Sequence, residues 1–210
     1  MSIMAIGEDT SADLGETRLD DAGLDLLFRD ARTHSVWQPE PIREATLREV
    51  YDLAKMGPTS ANTSPLRVVF LTTEAAKARL LPALAPQNVE KSRTAPAVAV
   101  LAYDTLFYEH LPRLFPHADA KAWFEGNAEL IQQTAFRNSS LQGGYFILAA
   151  RALGLDCGPM SGFDPEMVNR EFFPDGRWKV NFVCNLGHGD SSKLFARSPR
   201  LSFDEACQVL

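Results

Sequence analysis

NAELIQQTAFRNSSLQGGYFILAARAL, residues 127–153, is the longest periodic segment of the chain. Ile131, Thr134, Ala135, Asn138, Leu141, Gln142, Tyr145, Leu148, Ala149 and Ala152 recur at alternating spacings of three and four, which sets them along one face of a core helix of about seven turns. Gly154 supplies the stop. Two amides, Asn138 and Gln142, lie four apart on this otherwise apolar stripe. Either they hydrogen-bond each other inside the core, or the face they occupy meets a partner chain or a ligand.

Outward from this helix the pattern is of short mixed elements. Leu47, Val50, Tyr51 and Ala54 predict an amphipathic helix over about 43–56, ended by Gly57-Pro58. Arg67 to Thr72 is a β-branched and aromatic run entered after Pro65, and the Ala-rich segment 74–85 after it reads as helix. Ala97 to Tyr103 is nearly unbroken in apolar residues, the signature of a strand buried on both faces. Asp164-Pro165 has the form of an N-cap with proline at the first helical position, opening a helix to Phe172. Val180 to Leu186 is a third strand, and Leu194 to Leu210 returns over the body. Strands and helices mix without strict alternation, so the expected class is α+β with a small central sheet.

The 210 residues are 45% hydrophobic and 23% charged, enough for one well-filled core. The net charge of −6 argues against a nucleic-acid partner, which would need a basic face. Five acids (Glu8, Asp9, Asp13, Glu16 and Asp20) face one base, Arg18, within residues 1–20. That stretch is expected to be a solvated acidic tail, with a single domain over 21–210. Cys157, Cys184 and Cys207 are odd in number and form no C-x-x-C pair, which gives neither a disulfide framework nor a zinc site and points to a reducing, cytoplasmic compartment. The longest apolar run is nine residues and contains Pro96, so neither a membrane span nor a secretion signal is expected.

Several familiar chemistries fall away. Ser161 is one residue out of step with a G-x-S-x-G elbow. Gly187-His188-Gly189 lacks the third glycine and the helix of a dinucleotide-binding turn. His34, His110, His117 and His188 show no metal-ligand spacing, and no metal is expected. The stretch from Phe107 to Phe124, with His117 and Trp123, is either a pocket cover or a packed surface loop.

What remains is a set of small polar and basic residues at the ends of elements. Ala31-Arg32-Thr33-His34 follows the first helical segment. Pro58-Thr59-Ser60-Ala61-Asn62 follows a helix stop and has the composition of an Asx or Ser/Thr turn. Asn88 and Lys91 precede the second strand, Gly158 to Gly162 follows the long helix, and Arg197 and Arg200 lie near the C-terminus. Together with Thr134 to Ser140 and Gly189 to Leu194, these segments resemble the FMN-dependent nitroreductase superfamily, and within it the malonic semialdehyde reductase branch (the HadB/RutE subfamily). The resemblance runs from about Leu24 to Leu210.

The resemblance implies a nitroreductase-like fold with a small mixed sheet flanked by helices, in an obligate homodimer with FMN at the subunit interface. It assigns the FMN phosphate to Arg32 with Arg197 or Arg200, matched by guanidinium forks. Thr33, His34 and Asn138 belong to the same cofactor-binding set. Pro58, Thr59, Ser60 and Asn62 would line the ring from the second subunit, and Asn88 and Lys91 would meet it from the first. A cation at Lys91 would stabilise the charge that collects near N1 and O2 on reduction. Pro159, Met160, Ser161 and Gly162 belong to the cofactor-binding set as well, with backbone N–H groups around Ser161 and Gly162 meeting N5 and O4.

The implied reaction is a ping-pong hydride relay from NADH or NADPH through flavin N5, with no protein nucleophile. In the malonic semialdehyde branch the acceptor is the aldehyde carbon, giving 3-hydroxypropionate in pyrimidine breakdown, with His117 and Trp123 as candidate substrate contacts. A general nitro or quinone reductase and a non-catalytic flavin-binding protein are the alternatives. Two positions depart from the family pattern: Ser35 stands where a second base is common, and Ser161 where an acid is common.

Overall fold

The structure is a computed structural model that describes residues 18–210. The charge pattern of residues 1–17, and with it most of the expected tail, lies outside the described residues. The chain forms two compact units that divide between Ala31 and Arg32. In the first, helix α1 (Asp21–Leu24) is capped by Asp20, whose carboxylate accepts the Gly23 N–H at 2.8 Å, and a π-helical turn follows over Asp25–Arg29. Arg29 pairs with Asp21 at 2.8 Å and Asp25 at 2.5 Å.

The second unit runs α2 (Glu44–Ala54), β1 (Leu66–Leu71), α3 (Glu74–Leu80), α4 (Pro86–Thr94), β2 (Ala97–Asp104), α5 (Leu111–Leu114), α6 (Ala128–Ala152), β3 (Asp156–Met160), α7 (Pro165–Phe172), β4 (Trp178–Gly187) and α8 (Phe203–Ala206). The four strands make one sheet in the order β1-β2-β4-β3. All three ladders are antiparallel, so the sheet is not the mixed one that the resemblance implies. Each strand enters the sheet at the end where its neighbour leaves. Among the described residues the one parallel pairing is the isolated bridge between Thr33 and Cys157.

Burial alternates along β2 and builds two cores. Ala97, Ala99 and Leu101 face α2 and α6 with Leu47, Val50 and Phe146, whereas Val98, Val100 and Ala102 face the α3, α4 and α7 side with Leu80, Leu84 and Val168. Every residue of β2 is buried, as its unbroken apolar run predicts. A register shift opposite Leu101 and Ala102 leaves Asn181 of β4 unpaired in the ladder. Its amide turns to α6 and donates to the hydroxyls of Ser139 at 2.7 Å and Ser140 at 3.0 Å, the redirection a bulge provides.

Helix α6 matches the 127–153 periodicity, with Asn127 as its N-cap. Helix α7 begins at Pro165 and is capped by Asp164, whose carboxylate accepts the N–H groups of Glu166 and Met167. The helix expected over 74–85 ends at Leu80 and passes into a 3₁₀ turn at Leu81–Ala83, because Pro82 cannot continue the α-helical hydrogen bonds.

Candidate active site

The sequence-predicted residues gather into two groups in different layers. In the first, three segments meet along β3 and the turn that follows it. The backbone N–H of His34 donates to the Cys157 carbonyl at 3.0 Å, beside the Thr33–Cys157 bridge. The Ala85 N–H donates to the Gly162 carbonyl at 2.9 Å, and the Asp164 N–H to the Ala83 carbonyl at 2.7 Å. These bonds bring α4 against the turn that follows β3.

Asn88 is the buried link of this group. Its Nδ2 donates to the Gly162 carbonyl at 2.9 Å, while its Oδ1 accepts from Lys91 Nζ at 3.1 Å. A Cβ on Gly162 would lie 2.7 Å from that Nδ2, so the amide fits only against a glycine. Ser92 of the same helix reaches Met160 Sδ at 3.7 Å. Ser161 is exposed, Pro159 is half-buried, and Lys91 is half-buried with its ammonium beside the Asn88 carbonyl oxygen.

Arg32 extends the group towards the C-terminal segment, its Nη2 donating to the Phe195 carbonyl at 2.6 Å. Arg197 is exposed, and Arg200, also exposed, donates to the carbonyls of Ser198 at 2.9 Å and Pro199 at 3.1 Å. His34 is only 5% exposed, with Nε2 3.4 Å from Asp156 Oδ1 and a Nδ1 that has no partner. The other Asp156 oxygen accepts the Gly189 N–H at 2.8 Å.

The second group belongs to the α6 layer. The Ser60 N–H donates to Asn138 Oδ1 at 2.8 Å, and Asn138 Nδ2 donates to the Thr134 carbonyl at 2.8 Å. Gln142 Oε1 accepts the Leu66 N–H at 3.0 Å. The two amides of the α6 stripe thus bond to main chain and not to each other. Residues Ser60–Asn62 form a 3₁₀ turn, and Ala61, Asn62 and Ser64 have φ of 47°, 50° and 41°. Three non-glycine residues in the left-handed region within four positions is a strained arrangement, held by Asn138 and by Thr59 Oγ1, which accepts the Ser64 N–H at 3.1 Å.

Asn62 Nδ2 donates to the Leu114 carbonyl at 2.8 Å, joining this turn to the aromatic segment. There the Phe115 ring lies 5.5 Å from His117 and 6.1 Å from Trp123, and Trp123 is 51% exposed. Pro58 and His117 are exposed too. The segment is packed at its base, where Phe107, Leu111 and Phe124 form a third apolar cluster.

Two contributors escaped the sequence reading. Trp37 donates its indole N–H to the Lys91 carbonyl at 3.0 Å. Lys77, 8% exposed, donates to the carbonyls of Arg93 at 2.9 Å and Ala95 at 2.7 Å. Burial pushes the Lys77 ammonium below the ordinary lysine range; the Glu74 charge opposes this and the Arg93 charge adds a smaller push in the same direction as burial. A lysine on an exposed-looking Ala-rich helix gives no sequence signal for such a role.

A groove of ≈ 810 Å³ runs between α2 and β1, lined by Tyr51, Leu66, Val68, Phe70 and Trp178 among others. None of the residues assigned to the cofactor lines it. Among the described residues no group of three or more His, Cys, Asp or Glu could hold a metal, and no helix is long and apolar enough to cross a membrane.

The chain belongs to the nitroreductase family, whose model matches residues 29–188. Relatives from Ralstonia nicotianae, 56% identical, and Polynucleobacter asymbioticus, 58% identical, each align over 91% of this chain and 98% of their own length, and both carry the provisional name NADH dehydrogenase/NAD(P)H nitroreductase. The fold is that of a provisionally named nitroreductase from Exiguobacterium sibiricum solved in complex with FMN, at a TM-score of 0.80 and 18% identity over 92% of this chain and 99% of that one. The nitroreductase-like ydfN of Bacillus subtilis superposes with a TM-score of 0.79 at 22% identity, covering 90% of this chain and 99% of that one.

Proposed function

We propose that this chain is an FMN-dependent NAD(P)H oxidoreductase that acts as a homodimer, each site being completed by residues of two copies. The observation that carries the reading is the division of the polar residues between two layers. Asn88, Lys91 and Gly162 cluster beside α4, with Arg32 on the C-terminal segment through the Phe195 carbonyl, whereas Ser60, Asn62 and Asn138 cluster beside α6. A second copy brings the α6-side group of one chain to the α4-side group of the other.

The donor set suits FMN. Arg32, with Arg197 or Arg200, offers planar cations for a phosphate, and Lys91 with Asn88 offers an ammonium and an amide for the pyrimidine edge of the ring. The close fit of Gly162 against Asn88 keeps side-chain bulk away from the turn where a flat ring would approach. Bound FMN supplies the hydride acceptor and donor that the side chains lack. The protein's part is to orient NAD(P)H and the second substrate in turn, to exclude water, and to hold Lys91 where negative charge develops.

The dimer is supported by apolar side chains left uncovered on the single chain. Phe195, Leu201, Phe203, Val209 and Leu210 are 63–112% exposed along the C-terminal segment, and Phe136, Leu141 and Tyr145 stand out from α6. So many large apolar side chains left in water on two segments are what a partner surface would cover. A cytoplasmic site of action follows from NAD(P)H as reductant.

For the second substrate we infer malonic semialdehyde, reduced to 3-hydroxypropionate in pyrimidine breakdown, supported by the strings Ala31–Trp37, Gly57–Pro65 and Gly158–Asp164. A nitro or quinone acceptor is the second reading, favoured by the exposed Trp123 ring beside Phe115, a flat apolar surface next to the Asn62 turn. Purified protein carrying FMN is expected to lose its visible absorbance when NADH is added without oxygen. Steady-state NADH oxidation with malonic semialdehyde, nitrofurazone and menadione then separates the substrates, and turnover of the last two alone removes the aldehyde assignment. A protein that remains colourless after FMN reconstitution removes the flavin reading altogether.

A further inference from the structure

We propose that Trp37 is a positioning residue for Lys91: its indole N–H fixes the helix end that sets the Lys91 ammonium. The inference rests on the reading of Lys91 as the cation beside the flavin.

Helix α4 stops at Thr94, and Ala95 is extended with φ −62° and ψ 137°. The last carbonyls of the helix, from Lys91 onward, therefore lack donors from a following turn. Side chains from outside the helix meet two of them. Trp37 Nε1 donates to Lys91 O at 3.0 Å, and Lys77 Nζ donates to Arg93 O at 2.9 Å and to Ala95 O, just past the helix, at 2.7 Å.

The indole has little freedom to be elsewhere. Trp37 is 8% exposed, its backbone bridges Gly189, and the next residue, Gln38, donates its N–H to the His188 carbonyl at 2.7 Å. Glycines on β3 and β4 leave the space for the ring. A Cβ on Gly158 would lie 3.2 Å from Trp37 Cζ2, and one on Gly187 would lie 2.9 Å from Cε3. The donor is thus fixed by the sheet, and through Lys91 O it fixes the turn carrying both Asn88 and Lys91. One turn earlier the same helix presents Asn88 Oδ1 to Lys91 Nζ at 3.1 Å. Without the indole N–H the Lys91 carbonyl loses the side-chain donor that anchors it to the sheet, and the terminal turn can fray away from Asn88.

The test compares the FMN midpoint potential and the anaerobic rate of reduction by NADH in four holoenzymes: wild type, Trp37→Phe, Lys91→Met and the double variant. Lys91→Met is expected to lower the potential. Trp37→Phe, which keeps an aromatic ring and removes the N–H, is expected to lower it in the same direction by less and to slow reduction roughly two- to tenfold. In the Lys91→Met background it should add nothing. A wild-type potential in Trp37→Phe, or an equal shift whether or not Lys91 is present, overturns the positioning role while leaving the Lys91 reading intact. An unchanged potential in Lys91→Met overturns that reading and the proposal with it. If Trp37→Phe does not fold, site-specific 3-benzothienylalanine at position 37 keeps the bicyclic shape, lacks the N–H, and is held to the same outcomes.

Discussion

Asn138 Oδ1 accepts the backbone N–H of Ser60 at 2.8 Å, tying the turn that follows α2 to the middle of α6. The bond holds a segment in which Ala61, Asn62 and Ser64 are all left-handed. Asn138→Ala should therefore do more than remove one contact. It leaves a main-chain donor unmet and releases the strained turn, at a cost of about 1–3 kcal/mol. Urea denaturation reads the loss, and hydrogen exchange should show faster exchange in residues 60–64 than in α6 itself. Equal stability with unchanged exchange in the turn contradicts the role given to this amide.

Gly162 and Asn88 should fail together. A methyl group on Gly162 meets Asn88 Nδ2 at 2.7 Å and displaces the amide from the Gly162 carbonyl. Gly162→Ala and Asn88→Ala are each expected to weaken FMN binding about tenfold, and the double variant to be little worse than either single one. Fluorescence titration of the apoprotein with FMN gives the three affinities; full additivity means that the two residues act independently.

Arg32 and Lys91 should separate binding from chemistry. Arg32→Ala removes a guanidinium assigned to the phosphate, and a roughly ten- to hundredfold loss of FMN affinity is expected. Lys91→Ala should slow flavin reduction more than it weakens binding. Stopped-flow reduction at saturating FMN alongside equilibrium titration distinguishes them, and the reverse pattern exchanges their roles.

Asp104 makes the stability of the fold sensitive to acid. Its side chain is 1% exposed, and burial alone would raise its pKa. The Arg177 fork at 3.0 and 3.1 Å, the Leu106 N–H at 2.9 Å and Arg67 at 2.7 Å outweigh that and hold it below the ordinary carboxylate range. In the window between the two values, the unfolded chain binds a proton there and the folded chain does not. The stabilisation is complete above about pH 4 and is lost as pH falls through the folded value. Urea midpoints should decline on acidification below pH 4, and Asp104→Asn should flatten that part of the profile. Because the substitution leaves the two arginines without their shared carboxylate, it should also cost about 3–5 kcal/mol at neutral pH.

Periodicity carries far in this chain where side chains alone decide burial. The α6 stripe, the unbroken apolar run of β2 and the Asp164-Pro165 start of α7 all correspond to observed elements. Strand β3 was hidden because Asp156-Cys157-Gly158-Pro159-Met160 has poor strand propensity. It survives as an edge strand, where a proline costs no ladder bond on its open side, and Gly158 is needed because a Cβ would lie 2.6 Å from the His34 carbonyl. Helix α4 was hidden for a different reason: its inward residues are Asn88 and Ser92, polar groups with no apolar periodicity to announce them. The motif segments were legible one by one through resemblance. Which of them meet was not, since Asn88 finds Gly162 across 74 positions and Ser60 finds Asn138 across 78.

The separation of the α4-side and α6-side groups by the sheet has a genetic counterpart. If one chain contributes Lys91 to a site and the other contributes Ser60 and Asn62, two impaired variants damaged on opposite sides can rescue each other. A mixed pair holding one protomer with Lys91 replaced and one with the 58–62 turn disrupted assembles one centre with both lesions and one with neither. Co-expression of the two should recover a level of activity that neither reaches alone, whereas a site built from a single chain permits no such complementation.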